Sequence, residues 1–136
     1  IVFHSGISVI MAGLDVTENA AITLNEIKTL KDKGKVSHLA YELLSFYNES
    51  GKQFGFVDSP IHDLCAVEYL IKPDIFSGKN YYVDIVTDNG ISRGQTLADL
   101  RKVPKHKDNV FVLKQVDRKK FVETLVEGLE KLDKEV

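Results

Sequence analysis

The chain has 136 residues, a length typical of one compact domain, and we predict that residues 1–136 form a single unit. Its 18 Lys and Arg residues against 20 Asp and Glu residues give a formal net charge of −2, which excludes the strongly basic surface typical of proteins that bind nucleic acid or anionic lipid. No run of 18 apolar residues is present, so no membrane span is predicted, and the single cysteine excludes an internal disulfide and favours a cytoplasmic location.

The first quarter of the chain predicts one strand and one long helix after a short helix end. The run ISVIMAG (7–13) is apolar and rich in β-branched residues, which is typical of a strand buried on both faces. Residues 14–34 then show helical spacing, with Asp15 or Thr17 as the N-cap and Gly34 at the end. The apolar face of this predicted helix consists of Ile22, Ile27 and Leu30.

Two further helices are predicted in the middle of the chain. Residues 35–51 have apolar side chains at helical spacing, and the stretch GKQFGFVD (51–58) predicts a connecting loop. A third helix follows, with Asp58 or Ser59 as its N-cap and Pro60 at its first helical position, where the missing N–H costs nothing. It ends before the next proline of the chain, because a residue that precedes proline is pushed out of the helical region.

The last third of the chain predicts a β-hairpin, a strand and a helix. Residues 81–99 contain alternating runs on either side of an Asn-Gly turn signal, and residues 109–116 form a second strand-like run. Asp117 is placed to cap a closing amphipathic helix. The order of elements predicts a mixed α/β domain with too few strands for a complete doubly wound sheet, so we expect further strands outside this chain.

His62 and Asp63 stand side by side where the third predicted helix begins. The free N–H groups and the positive end of the helix dipole favour a carboxylate at this position. Two interpretations remain open on local chemistry alone. The pair consists either of ordinary first-turn residues, or of a titratable group beside one oxygen ligand for a cation such as Ca²⁺, which takes six to eight oxygens.

Four segments, in order along the chain, resemble motifs of the inosine–uridine-preferring nucleoside hydrolase family. The first resembles the family's strand followed by GLDVT, the second its HDPCAVAYLIDP block, the third its TRGxTVxD segment and the fourth its C-terminal strand and helix. In this sequence they are IVFHSGISVIMAGLDVT (1–17), SPIHDLCAVEYLIKPDIF (59–76), ISRGQTLAD (91–99) and NVFVLKQVDRKKFVETLVEGL (109–129). The resemblance implies an α/β fold, namely the C-terminal part of the nucleoside hydrolase fold. That part is a Rossmann-like mixed sheet with flanking helices and a β-hairpin, without the N-terminal strands.

The resemblance also implies a reaction and roles for three residues. The family hydrolyses the N-glycosidic bond of ribonucleosides with the help of Ca²⁺. Asp63 matches a metal ligand of the family, and His62 matches the residue proposed to protonate the leaving base. Tyr47 falls where the family often has an aromatic residue near the base, as part of a substrate-binding site.

Two of the departures from the family pattern bear directly on activity and on the choice of base. The Asp-rich motif DxDxxxDD, which supplies most of the family's metal ligands, is absent from residues 1–136. We therefore expect the chain to be the C-terminal portion of a larger enzyme, inactive by itself. Separately, the family resemblance implies a homo-oligomer for the full-length protein. Ser50 and Gly51 stand where the family has a second tyrosine, which leaves the choice between purine and pyrimidine bases open. The alternative is a truncated, non-catalytic binding module that keeps the scaffold.

Overall fold

The computed structural model describes all residues from 1 to 136 and has a mixed α/β architecture, as the sequence predicts. The helices are α1 (Leu14–Thr17), α2 (Leu24–Thr29), α3 (Lys35–Lys52), α4 (His62–Ile71) and α5 (Arg118–Glu135). The strands are β1 (Ile10–Met11), β2 (Ala21–Ile22), β3 (Ser59–Pro60), β4 (Phe76–Tyr81), β5 (Val83–Ile85), β6 (Thr96–Ala98) and β7 (Val110–Val116). Two short 3-10 helices span Val2–His4 and Pro73–Ile75.

The main sheet contains three strands in the order β1–β7–β4. The central strand β7 pairs in parallel with β1, where Ile10 lies opposite Phe111, and antiparallel with β4. A shift in register between Ser77 and Gly78 marks a β-bulge in β4. Gly78 approaches β7 so closely that a Cβ at this position would overlap the carbonyl oxygen of Val112. The strands β2 with β3 and β5 with β6 form two small antiparallel pairs.

The main hydrophobic core joins α1, α2, α4 and α5 to the sheet. Phe121 of α5 is fully buried and meets Phe76 of β4 edge to face, with ring centroids 6.5 Å apart. Val16 of α1 and Cys65 of α4 are also fully buried in this core, one residue and three residues away from Thr17 and His62. The packing of α1 against α4 therefore decides where these two polar side chains lie.

The helix predicted at residues 14–34 is wrong. The structure divides this segment into α1, the strand β2 and α2, because Ala21 and Ile22 are extended and pair with β3. Thr23, rather than Asp15 or Thr17, acts as a side-chain cap: its hydroxyl accepts from the N–H of Glu26, whose carboxylate accepts from the N–H of Thr23. The sequence TLNE carries this capping-box signal. The predicted burial of Ile22, Ile27 and Leu30 is confirmed.

Two other predictions need correction, and one strand was missed. The strand at 7–13 is only two residues long and is not buried on both faces, since Ile10 is 44% exposed. It lies at the edge of the sheet, with β7 as its one neighbour. Ser59 and Pro60 do not begin α4. Both residues lie in β3, and the Ser59 hydroxyl is engaged by the side chain of Asn48. Strand β4 was not predicted, because FSGKNY is poor in residues that favour strands.

The remaining elements follow the sequence closely. Helix α3 and the closing helix α5 occur as predicted, and the Asp117 carboxylate accepts from the backbone N–H of Lys120 as the N-cap of α5. Strands β5 and β6 confirm the hairpin, with residues 86–95 as a longer connection than a two-residue turn. The predicted strand at 109–116 is β7. Helix α4 ends at Ile71, just before the Lys72-Pro73 pair that predicts its end.

Candidate active site

Helix α4 begins with His62 and Asp63, and a short β-ladder fixes this starting point. Pro60 lies opposite Ala21 in the β2–β3 pair, and the N–H of Ile61 donates to the carbonyl oxygen of Ala20 at 3.0 Å. His62 is half-buried and Asp63 is exposed. Both residues lie in the first helical turn, as predicted, where the N–H groups that lack helical partners favour an anionic side chain or ligand.

The side chain of Thr17 contacts His62 across the gap between two helices. The Thr17 hydroxyl oxygen lies 2.8 Å from Nδ1 of His62, and Thr17 is only 3% exposed. The sequence interpretation gave Thr17 a helix-capping role and missed this contact. The two residues are 45 positions apart, so no local pattern connects them. The one signal was the occurrence of both residues in family-like motifs, GLDVT and HDLCAV.

Tyr47 lies at a neighbouring pocket rather than in contact with His62. It is 42% exposed and borders a cavity of about 180 Å³ between the end of α3 and β3. The remaining lining residues are Ser50, Gly51, Phe54, Phe56, Asp58, Ser59 and Pro60. Neither His62 nor Asp63 lines this cavity, so the structure places the three predicted site residues around the start of α4 without joining them in one pocket.

A buried polar contact ties the pocket wall to α3. Asn48 is 4% exposed, and its side-chain amide donates to the Ser59 hydroxyl at 2.9 Å. Ser59 is itself 2% exposed, so this bond satisfies two polar groups that water does not reach. The contact holds β3, the chain segment that leads to His62, against α3, the helix that carries Tyr47.

An ion pair supports β2 from the side of α5. Arg118 binds both carboxylate oxygens of Glu26, at 2.9 and 2.8 Å, and also donates to the carbonyl oxygen of Ala21 at 3.0 Å. This bidentate bond to Arg118, together with hydrogen bonds from Thr23, lowers the pKa of Glu26 to about 2. Because Ala21 pairs with Pro60, the network stabilises the strand pair that leads into α4.

The described residues do not by themselves form a metal site. Nowhere do three or more His, Cys, Asp or Glu side chains come together in a metal-binding arrangement. Asp63 offers one carboxylate, whereas Ca²⁺ takes six to eight oxygen ligands. The residues of this chain therefore do not fit a complete calcium site, and Asp63 fits one position of such a site.

Two other side chains of α4 face the protein interior. Cys65 is fully buried, and burial raises the pKa of its thiol to about 11, which disfavours a nucleophilic thiolate. Glu68 is 1% exposed, and neither of its carboxylate oxygens has a hydrogen-bond partner.

None of the helices combines the length and the hydrophobicity needed to cross a bilayer.

Comparisons with known proteins identify the family of this chain. The sequence model of the inosine-uridine preferring nucleoside hydrolase family matches residues 1–123. The pyrimidine-specific ribonucleoside hydrolases RihA from Salmonella paratyphi B and Salmonella typhi are each 41% identical to this chain over 133 residues. The matched residues cover 96% of this chain and 43% of each relative. The chain thus spans less than half the length of these curated relatives.

Solved structures agree with the fold. A purine-preferring ribonucleoside hydrolase from Gardnerella vaginalis superposes with a TM-score of 0.81 at 26% identity, covering 96% of this chain and 43% of the other. A plant nucleoside hydrolase superposes with a TM-score of 0.83 at 21% identity over 95% of this chain and 43% of the other, which supports the fold alone. The chain belongs to the inosine-uridine preferring nucleoside hydrolase family.

Proposed function

We propose that this chain is the C-terminal portion of a calcium-dependent nucleoside hydrolase that cleaves the N-glycosidic bond of ribonucleosides to give free base and ribose. In this proposal His62 protonates the leaving base, Asp63 is one ligand of the calcium ion, and Tyr47 lies near the base. The observation that carries the proposal is the place of His62. It lies at the start of α4, with Nδ1 held by Thr17 at 2.8 Å, in a chain that belongs to this family.

The chemistry requires a proton donor on the side of the base. As the bond between the ribose C1′ and the base nitrogen breaks, its electron pair moves to the base and the sugar takes on oxocarbenium character. A proton from His62 neutralises the charge that develops on the base. The oxygen of a water molecule adds to C1′, and one of its protons passes to solvent, which gives ribose. A half-buried imidazole suits this role because its proton remains exchangeable with solvent between turnovers.

Calcium would be held only in part by this chain. Asp63 supplies one oxygen ligand at an exposed helix start, and the others come from residues outside positions 1–136. For the same reason the chain by itself has negligible activity. The full-length protein is a cytoplasmic homo-oligomer in this proposal, with a free, buried Cys65 as the one feature here that suits a reducing compartment.

Pyrimidine ribonucleosides are the first substrates to test. The relatives at 41% identity are described as pyrimidine-specific, whereas the purine-preferring relative is 26% identical. The cavity beside Tyr47 is small, about 180 Å³, and bordered by two phenylalanines on the loop after α3. In this proposal it receives one edge of the base.

The activity test needs a complete enzyme. We would replace the matching segment of the Salmonella RihA enzyme with this chain and measure release of ribose from uridine, cytidine and inosine with calcium present. We expect the chimera to be active, His62→Gln to lower kcat by about 10²- to 10⁴-fold, and Asp63→Asn to raise the calcium concentration needed for half-maximal activity. His38→Gln, an exposed histidine in α3, is the matched control.

Two outcomes would contradict the proposal. Turnover by the 136-residue chain alone would disprove the dependence on outside ligands. A correctly folded chimera that hydrolyses none of the three nucleosides would favour the alternative, a non-catalytic binding module that keeps the scaffold.

A further inference from the structure

The hydroxyl group of Thr17 has a single hydrogen-bond partner, Nδ1 of His62. Thr17 is the last residue of α1, is 3% exposed, and lies beside the fully buried Val16. The packing of the surrounding core therefore fixes the position of the Thr17 side chain. His62 belongs to a different helix, so this contact is the direct polar link between α1 and the histidine side chain at the start of α4.

We infer that Thr17 is a positioning residue, which occupies Nδ1 of His62 and thereby makes Nε2 the nitrogen that delivers the proton to the leaving base. This inference rests on the proposed hydrolase function. An imidazole has two nitrogens, and the hydrogen bond made by one of them fixes the orientation of the ring and the protonation of the other nitrogen. With Nδ1 bound to the buried hydroxyl, only Nε2 is free for a substrate.

A hydroxyl is suited to this position because it both donates and accepts. In the imidazolium form, Nδ1–H donates to the Thr17 oxygen and Nε2–H points to the base. When the Nε2–H bond breaks, the proton forms a new N–H bond on the base, and the electron pair of the glycosidic bond moves to the base. The ring is left neutral, with its remaining proton on Nδ1 and still bound to Thr17.

The resting neutral ring should differ from the ring just after transfer. The Thr17 hydroxyl has no other acceptor, so its proton is satisfied only when Nδ1 is bare and accepts it. The alternative, in which Nδ1–H donates to Thr17, leaves a buried hydroxyl proton without a partner, which is unfavourable. After exchange with solvent, the resting ring therefore carries its proton on Nε2.

The test uses this chain within the Salmonella RihA chimera and needs no enzymatic activity. Nitrogen-15 NMR of the imidazole side chains distinguishes a protonated from a bare ring nitrogen, and the signals of His62 are assigned by their loss in His62→Gln. In the wild-type chain we expect neutral His62 with a bare, hydrogen-bonded Nδ1 and a protonated Nε2. Thr17→Val should raise the ratio of the Nδ1–H to the Nε2–H form about fivefold, the change that corresponds to one ordinary hydrogen bond.

Two controls separate positioning from a general structural effect. Thr17→Ser keeps the hydroxyl and should retain the wild-type ratio. Thr17→Ala removes the hydroxyl and should raise the ratio, so it takes the place of Thr17→Val if the valine variant fails to fold. A wild-type ring protonated on Nδ1, or an unchanged ratio in both variants without the hydroxyl, would overturn the inference. Loss of activity in the chimera with the NMR result intact would instead overturn the proposed function and leave the contact between Thr17 and His62 valid.

Discussion

Glu68 offers the sharpest test of how burial affects this chain. The residue lies in α4, is 1% exposed, and has no hydrogen-bond partner for either carboxylate oxygen. Burial raises its pKa from the ordinary 4.5 to about 7, although Lys72 opposes the shift. A buried carboxylate without partners is costly because the charged form loses its water without gaining other bonds.

The sign of the effect on stability follows from the direction of this pKa shift. A carboxyl group with a raised pKa holds its proton more tightly in the folded state than in the unfolded state. The free energy of unfolding therefore falls as the pH rises above 4.5, and the full cost is present above the folded pKa of about 7. A shift of this size corresponds to about 3 kcal/mol.

The perturbation is Glu68→Gln, which keeps the shape of the side chain and removes its ionisation. We expect the free energy of unfolding of this variant, relative to the wild type, to be higher by about 3 kcal/mol at about pH 8 than at about pH 4. The assay is urea unfolding at both pH values, followed by far-UV circular dichroism. Comparing the two proteins at each pH cancels the contribution of all other titrating groups.

Glu18→Gln is the matched control because Glu18 is exposed at the end of α1. This control should show the same difference from wild type at both pH values. If Glu68→Gln also shows no pH-dependent difference, Glu68 is solvated or paired in solution, and the reasoning from its burial is refuted.

The structure supports two further predictions about stability. Gly78→Ala should lower the free energy of unfolding by about 1–3 kcal/mol in urea melts, because the added methyl group would overlap the carbonyl oxygen of Val112; a change below the error of the melt would show that the β-bulge adapts. Arg118→Met should lower the free energy of unfolding by about 1 kcal/mol at neutral pH, because the ion pair with Glu26 is lost. The expected loss is small because solvent screens an ion pair whose two partners are partly exposed. The lowered pKa of Glu26 means that this loss should shrink as the pH falls from 4.5 towards 2, where wild type and variant converge; a constant difference would contradict the ion-pair argument.

Local patterns in the sequence determined the elements whose causes are also local. Helix α5 could be predicted from its apolar periodicity and from Asp117, since a cap acts within three residues. The first-turn position of His62 and Asp63 followed from the start of an apolar helix, even though the predicted N-cap was wrong. The family resemblance rested on motifs that a single chain displays directly, and the family match confirms it.

Tertiary structure decided the features that depend on residues far apart in the chain. The pairing of Ala21 with Pro60 turned part of a predicted helix into a strand, because an extended segment can gain a partner that helical spacing does not reveal. The contact between Thr17 and His62 spans 45 positions and depends on how α1 packs against α4. Helical periodicity alone could not show that Glu68 would be enclosed without a partner. Short-range order was therefore set by the sequence, and the environment of each polar group was set by long-range packing.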